Sequence, residues 1–342
     1  GRSPSARLSS MAWAAPMAAG FVTWLLGLGS VVIALRRARA CVVRARYAVA
    51  GVCVGVALAA APVDSLGGEA ANKAPAARQG PAKGGVAAGV DIKIFCDMEG
   101  ISGIVFKSFV TNDSDRYAEG QRYLMGDLNA CIQGCIEGGA GRITVQDIHS
   151  QCNNVLWGEL HEGAECILGN PPRFEGIEAY DGLILLGYHA KAGTQRAILA
   201  HTSSHSWKNC WINGQTVGEV ALDGGRAGEH GVPVIMVSGD DKLCSEAKSL
   251  MDHLVTVEVK TGAAFEAGTL LPRPVAHRRI QEGAAEAVRR LRKSKPNPFV
   301  MASPVTLRLE QVERPNPPRN RHVKIIDANT HEVTGRTVEE AL

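Results

Sequence analysis

Three short apolar runs in this chain each lead into residues that bind metals. Ile92-Lys93-Ile94-Phe95-Cys96 leads into Asp97-Met98-Glu99-Gly100. Arg142-Ile143-Thr144-Val145-Gln146 leads into Asp147-Ile148-His149, and Leu183-Ile184-Leu185-Leu186-Gly187-Tyr188 leads into His189. Asp97 and Glu99 are two residues apart, so on an extended backbone both side chains point the same way, where one cation can bridge them or two can share them. Carboxylates this close raise each other's pKa unless a cation neutralises them. Imidazole is the commonest metal donor, and a His straight after an apolar strand sits at the rim of the core, where a metal would lie. Carboxylates and imidazoles delivered to one place are what a metal-dependent hydrolase needs to activate water.

Each residue also has a plainer reading. Asp-x-Glu is a common acidic turn, and a lone His is more often a hydrogen-bonded core or surface group. Glu219 falls in the first turn of an expected helix, where the helix dipole favours any acid; its functional reading is a further carboxylate ligand. His201 and His205 lie in a Thr-Ser-Ser-His-Ser loop, and each reads as either a proton shuttle or a solvated loop residue. His161, His230, His253, His277, His322 and His331 have no partner pattern and are assigned to structure or surface. Asp240 and Asp241 close a strand, where turn formation explains them as well as a supporting role does. The sequence has no GxSxG elbow, no phosphate-binding loop and no GxGxxG after the first strand, which removes the usual support for serine hydrolases, NTPases and dinucleotide enzymes.

The elements that must position these residues read as an α/β fold: a mostly parallel sheet flanked by helices, with a smaller C-terminal α+β portion. Short β-rich runs closed by Gly, Asp or Asn are buried strands, and open α/β sheets bind ligands beyond the carboxyl ends of their strands. Tyr117, Leu124, Leu128, Cys131, Ile132 and Cys135 share one stripe, which predicts a helix over Tyr117–Gly138 and a βαβ unit completed by the strand at 142–146. A further strand is expected over 178–188, and the Asn213-Gly214 pair signals a hairpin. A helix over about 217–231, a strand over 232–237 and a helix over about 280–292 follow. Extended segments are expected at 305–308 and 323–326, and a helix cut short at 337–342.

Composition sets the outer limits. The chain has 342 residues, 45% of them apolar, and a net charge of +3. Residues 1–90 hold ten Lys/Arg against two acids, a balance of +8, so residues 91–342 carry −5. The basic character belongs to the N-terminal segment, and no nucleic-acid binding follows from it. Nine scattered cysteines show no paired C-x-x-C spacing; they read as mostly reduced, buried small hydrophobes. Residues 1–63 form a leader. Its stretch 11–35 is long and apolar enough to span a bilayer; an Arg cluster and a shorter apolar run ending in Ala59-Ala60-Ala61-Pro62 follow. Three readings stand: an organelle-targeting leader, a membrane anchor in contact with lipid through residues 11–35, or upstream sequence that is not translated, which would leave a cytoplasmic protein. Residues 64–90, rich in Ala, Gly, Pro and Lys, read as a flexible linker. Residues 91–342 form the catalytic domain, with a C-terminus that looks short.

A set of blocks resembles one known family, the DppA-type D-aminopeptidases, which are zinc peptidases acting on short peptides with N-terminal D-residues. The blocks are Asp97–Gly103, Asp147–Ser150 with Asn153-Asn154, Gly187–Ala192, Leu199–Thr202, Trp211–Glu219 and Ser238–Asp241, in family order. The resemblance implies a two-zinc site made by Asp97, Glu99, His149, His189 and Glu219, with His201 as the catalytic histidine. It also implies a ring-shaped homo-oligomer enclosing the active sites and short peptides as substrates. Ile148 stands where the family usually has Ser; side chains alternate along a strand, so Ile148 is expected to face the core and leave His149 free. Rival expectations are a dinuclear metal amidase, an L-aminopeptidase on the same fold, and a tethered scaffold without activity.

Overall fold

The computed structural model describes residues 89–313 and 322–342. The leader 1–63 and all but the last two residues of the linker 64–90 lie outside the described residues, as does the candidate membrane stretch 11–35. No helix among the described residues is long and apolar enough to cross a membrane.

Seven strands form the larger sheet: β1 (Val90–Cys96), β2 (Ala140–Asp147), β3 (Glu165–Ile167), β4 (Gly182–Leu186), β7 (Val234–Asp240), β8 (Val255–Ala264) and β9 (Ala267–Leu270). Their order across the sheet is β3-β2-β1-β4-β7-β8-β9. All neighbours are parallel except β8 and β9, an antiparallel pair at one edge. Helices α1 (Tyr117–Gly138) and α4 (Arg273–Lys293) cover one face, and α2 (Glu219–Glu229) and α3 (Asp241–Leu250) the other. With both faces covered, the central strands need apolar residues on both sides, which is why they read as continuous apolar runs rather than alternating ones. In β1, Ile92, Ile94 and Cys96 enter the core under α1 and α4, while Phe95 enters the opposite core with Leu183, Leu185, Val220 and Leu243.

The smaller sheet joins β5 (Trp207–Ile212), β6 (Gln215–Thr216), β10 (Val305–Gln311), β11 (Val323–Ile325) and β12 (Thr330–Gly335) in the order β11-β12-β10-β5-β6. Its neighbours are antiparallel throughout. The expected hairpin is present: Asn213 at φ +50° and Gly214 at φ +83° form its two-residue turn, the left-handed pair such a turn requires. A third core lies beneath this sheet, with Cys210, Ile212, Leu222, Leu307, Leu309 and the short helix α5 (Val338–Ala341). The smaller portion is therefore not purely C-terminal, since β5 and β6 come from the middle of the chain.

Several boundaries differ from the sequence expectation. The strand expected over 178–188 starts only at Gly182, because Ile177–Ala179 form a 3-10 turn. The helix expected at 280 starts at Arg273, since proline is tolerated in a first turn. Asp240 and Asp241 begin α3, where the Asp240 carboxylate accepts from the amides of Lys242 and Leu243 at 3.1 and 2.8 Å, an N-cap. Seven free cysteines lie in the described residues; all but Cys166 are buried.

Candidate metal centre

The parallel register brings the ligand-bearing strand ends to one edge. Cys96 pairs with Asp147 on one side and with Leu186 on the other, so the residues that follow each strand emerge side by side. The loops are stitched together by backbone bonds from Asp97 N to the Leu186 carbonyl at 2.9 Å, Ile148 N to the Cys96 carbonyl at 3.1 Å and Gly100 N to the Gly187 carbonyl at 2.7 Å. The contact at Gly100 is so close that a Cβ there would lie 1.8 Å from the Tyr188 carbonyl oxygen. Only glycine fits, which fixes the turn carrying Glu99 against the turn carrying His189.

The structure brings together Asp97, Glu99, His149, His189, His201 and Glu219. They form two groups of potential ligands: Asp97, Glu99 and His149 in one, and His189, His201 and Glu219 in the other. Asp97 faces both. Its Oδ1 lies 3.0 Å from His149 Nδ1 and its Oδ2 3.5 Å from His189 Nε2. His149 Nδ1 is also 3.1 Å from Glu99 Oε2, and His189 Nε2 is 3.2 Å from Glu219 Oε1. His201 stacks on His189 with ring centroids 3.9 Å apart and planes at 11°, and His205 tilts over His201 at 4.6 Å. His205 stands on the exposed side of this stack.

Backbone carbonyls orient all three histidines. His149 Nε2 faces the Val110 carbonyl at 2.9 Å, His189 Nδ1 the Ala190 carbonyl at 3.1 Å and His201 Nδ1 the Leu199 carbonyl at 3.0 Å. A carbonyl only accepts, so the nitrogen facing it keeps its proton and the other nitrogen is the one left for a metal. The turns that deliver these rings are strained: Ser150 and Cys152 after His149, and Leu199 and Ser203 around His201, all have φ between +51° and +55°. Non-glycine residues rarely adopt that conformation, and it concentrates at functional sites.

The electrostatics describe a cluster suited to a cation. Burial and the neighbouring Glu99 charge push Asp97 up to about 7. Burial alone would depress both histidines, yet Glu99 and Asp97 hold His149 well above its ordinary value, and Glu219 and Asp97 hold His189 up at about 10. Burial would likewise raise Glu219, but His189 and His201 hold it down at about 2. Protons on the imidazoles thus stand where a divalent ion would. Glu99 Oε2 and His189 Nε2 are shut off from solvent with no well-aligned hydrogen bond, which is costly unless something else occupies their lone pairs. The donor set and these two orphaned atoms fit a metal.

Ile148 is buried in the core with Phe174 and Tyr188, as the alternation of side chains requires, and His149 is left facing the carboxylates. Asp147 turns away from them. Its carboxylate instead binds the backbone and side chain of Asn154, the amide of Val155 at 3.2 Å and the amide of His149 at 3.2 Å.

Sequence reasoning missed Lys260. Its buried ammonium lies under the Glu99 turn and donates to the carbonyls of Glu99 at 2.6 Å, Ile101 at 2.9 Å and Ile104 at 2.5 Å. Burial lowers it to about 8 against the pull of Asp240, Asp127 and Glu99. Strand parity gave no signal, because Lys260 directly follows buried Val259 and shares the side of exposed Glu258. Lys260→Met should leave the buried carbonyls of Glu99 and Ile104 unpaired, each costing about 1–3 kcal/mol, while the Ile101 carbonyl keeps the amide of Ile104 at 3.2 Å. A thermal midpoint within a degree or two of the wild type would show that the lysine does not hold this turn.

Over the centre lies a cleft of about 550 Å³, floored by Asp97, Glu99, His149, His201 and Glu219 and rimmed by residues that include Lys107, Asp113, Arg173 and His205. Residues 90–342 match the model of the D-aminopeptidase family. A D-aminopeptidase of Bacillus subtilis (strain 168) is 34% identical over 204 residues, which cover 58% of this chain and 74% of that protein. The solved structure of a Zn-dependent D-aminopeptidase, DppA from Bacillus subtilis, described as a self-compartmentalizing protease, superimposes with a TM-score of 0.68. It is 28% identical, covering 73% of this chain and 93% of its own.

Proposed function

The chain belongs to the D-aminopeptidase family of peptidases, and from that premise we propose that it releases N-terminal D-residues from short peptides with two zinc ions held by Asp97, Glu99, His149, His189 and Glu219. One observation carries the two-ion reading: Asp97 directs one oxygen to each ligand group. When bound in such a pair, zinc supplies Lewis-acid polarisation and brings the pKa of water down toward about 7. The remaining work falls to the chain. The floor carboxylates attract and orient the free amine of a peptide. The backbone amide of Ser203 donates to Glu219 Oε1 at 2.7 Å and so fixes that carboxylate beside His189. His201 moves a proton at the scissile bond in this reading, which its Nε2 supports by lying 3.8 Å from Glu219 Oε1. Self-compartmentalisation, described for the Bacillus protein, is carried over as part of this proposal; a monomeric mass in solution would exclude it.

The deciding experiment measures zinc in the purified full chain and hydrolysis of D-Ala and L-Ala p-nitroanilides, with and without chelator. Two zinc ions per chain and chelator-sensitive cleavage of the D-substrate are expected. Preference for the L-substrate would make it an L-aminopeptidase, and bound zinc with neither substrate cleaved would leave the site without this chemistry.

A further inference from the structure

The cleft above the metal centre has an acidic floor and one uncommitted cation at its rim. Two basic residues line it, Lys107 and Arg173. Arg173 is occupied: its guanidinium donates to both oxygens of Asp223 at 3.2 and 2.9 Å and to the Ile148 carbonyl at 3.4 Å. Lys107 is bonded through its backbone alone. Its amide donates to Glu266 Oε1 at 2.7 Å, and its carbonyl accepts from Thr111 Oγ1 and Val110 N, each at 3.0 Å. Among the described residues its ammonium has neither a hydrogen bond nor an ion pair, although Asp113 lines the same cleft.

The base of this lysine is fixed to the site. Phe109, two residues on, is buried under the Arg116 guanidinium, 3.8 Å from its ring centroid. The carbonyl of Val110 is the acceptor that orients His149. The Lys107 charge is also felt across the rim, where burial first and then this ammonium push His205 below its ordinary value. A pinned backbone carrying a free cation, in the same cleft as the three floor carboxylates, is complementary to a zwitterion.

We propose that Lys107 binds the free C-terminal carboxylate of the substrate and so discriminates a peptide's free acid from its C-terminally blocked form. This rests on the peptidase reading above. The peptide would lie with its amine toward Asp97, Glu99 and Glu219 and its carboxylate toward Lys107, within a cleft in the size range of small-ligand sites. C-terminally amidated peptides lose the charge-assisted contact.

The test compares D-Ala-D-Ala with its C-terminal amide on the zinc-loaded full chain, in the wild type and in Lys107→Gln and Lys107→Arg. The wild type should favour the free acid in kcat/KM by roughly tenfold, the size of one charge-assisted hydrogen bond, chiefly through KM. Lys107→Gln should bring that ratio close to one, and Lys107→Arg should keep it. A wild-type ratio near one, or a Lys107→Gln ratio equal to the wild type's, overturns the subsite while leaving the peptidase reading intact. A zinc-loaded wild type that cleaves neither peptide overturns the peptidase reading, and the subsite with it.

Discussion

Asp97→Ala is expected to remove both zinc ions and all detectable hydrolysis, whereas Glu219→Ala should lower zinc from two per chain to one. The asymmetry follows from geometry. Glu219 meets only the group containing His189 and His201, while the two oxygens of Asp97 divide between both groups. Elemental analysis after gel filtration reads the difference directly, and an Asp97→Ala chain that still carried two zinc ions would end the reading of Asp97 as common to both ligand groups. Loss of metal must be separated from loss of fold, and the electrostatics supply the control. In the metal-free chain, burial and the Glu99 charge raise Asp97 to about 7, above its ordinary value of 3.8. A raised carboxyl means that the folded state binds the proton more tightly than the unfolded one does. Its ionisation therefore erodes stability as pH climbs from about 4 to about 7. At pH 8 the metal-free variant, relieved of that charge, should melt no lower than metal-free wild type.

His201→Ala is the second large effect: turnover should fall about 10²–10⁴-fold, the usual contribution of a positioned general acid or base, with zinc still at two per chain. In the metal-free chain burial and the adjacent His189 charge lower His201 to about 4; a divalent ion in place of that His189 proton would also disfavour a charged His201, leaving it neutral near pH 7 and able to accept a proton. It meets His189 face to face rather than edge on, and its Nε2 stands further from Glu219 than that of His189 does, 3.8 against 3.2 Å. If zinc instead drops to one ion per chain, His201 is a ligand and the proton-transfer role passes to another group. His205, which tilts over it at 4.6 Å, would be the next candidate.

The ligands delivered by β1, β2 and β4 were legible because a buried parallel strand and the residue after it leave a local signature, an apolar run ending in Asp, Glu or His. Glu219 was legible through the Asn-Gly turn that sets where α2 begins. The grouping of these residues into two sets sharing Asp97 was not legible, since it depends on three loops meeting across the sheet. Lys260 was invisible for the same reason: the carbonyls it serves lie 156 to 161 residues away in sequence. The smaller α+β portion was expected, but only at the C-terminus; that the mid-chain hairpin β5-β6 joins β10, β11 and β12 escaped, because only the pairing of two distant segments shows that they share a core.

The burial of the thiols gives the chain an internal clock. Cys96, Cys131 and Cys135 have no solvent-exposed surface, and Cys152, Cys210 and Cys244 have little. An alkylating reagent added to the native protein can therefore reach Cys166 early, and the other five core positions and Cys152 only when packed layers separate. Cys96 sits next to Asp97 under the metal centre, whereas Cys210 belongs to the smaller sheet. Peptide-resolved labelling rates would then report opening of the two sheets independently. Adding zinc should slow the modification of Cys96 most, because metal held by residues after β1, β2 and β4 would tie together the strand ends that must part before a reagent can enter.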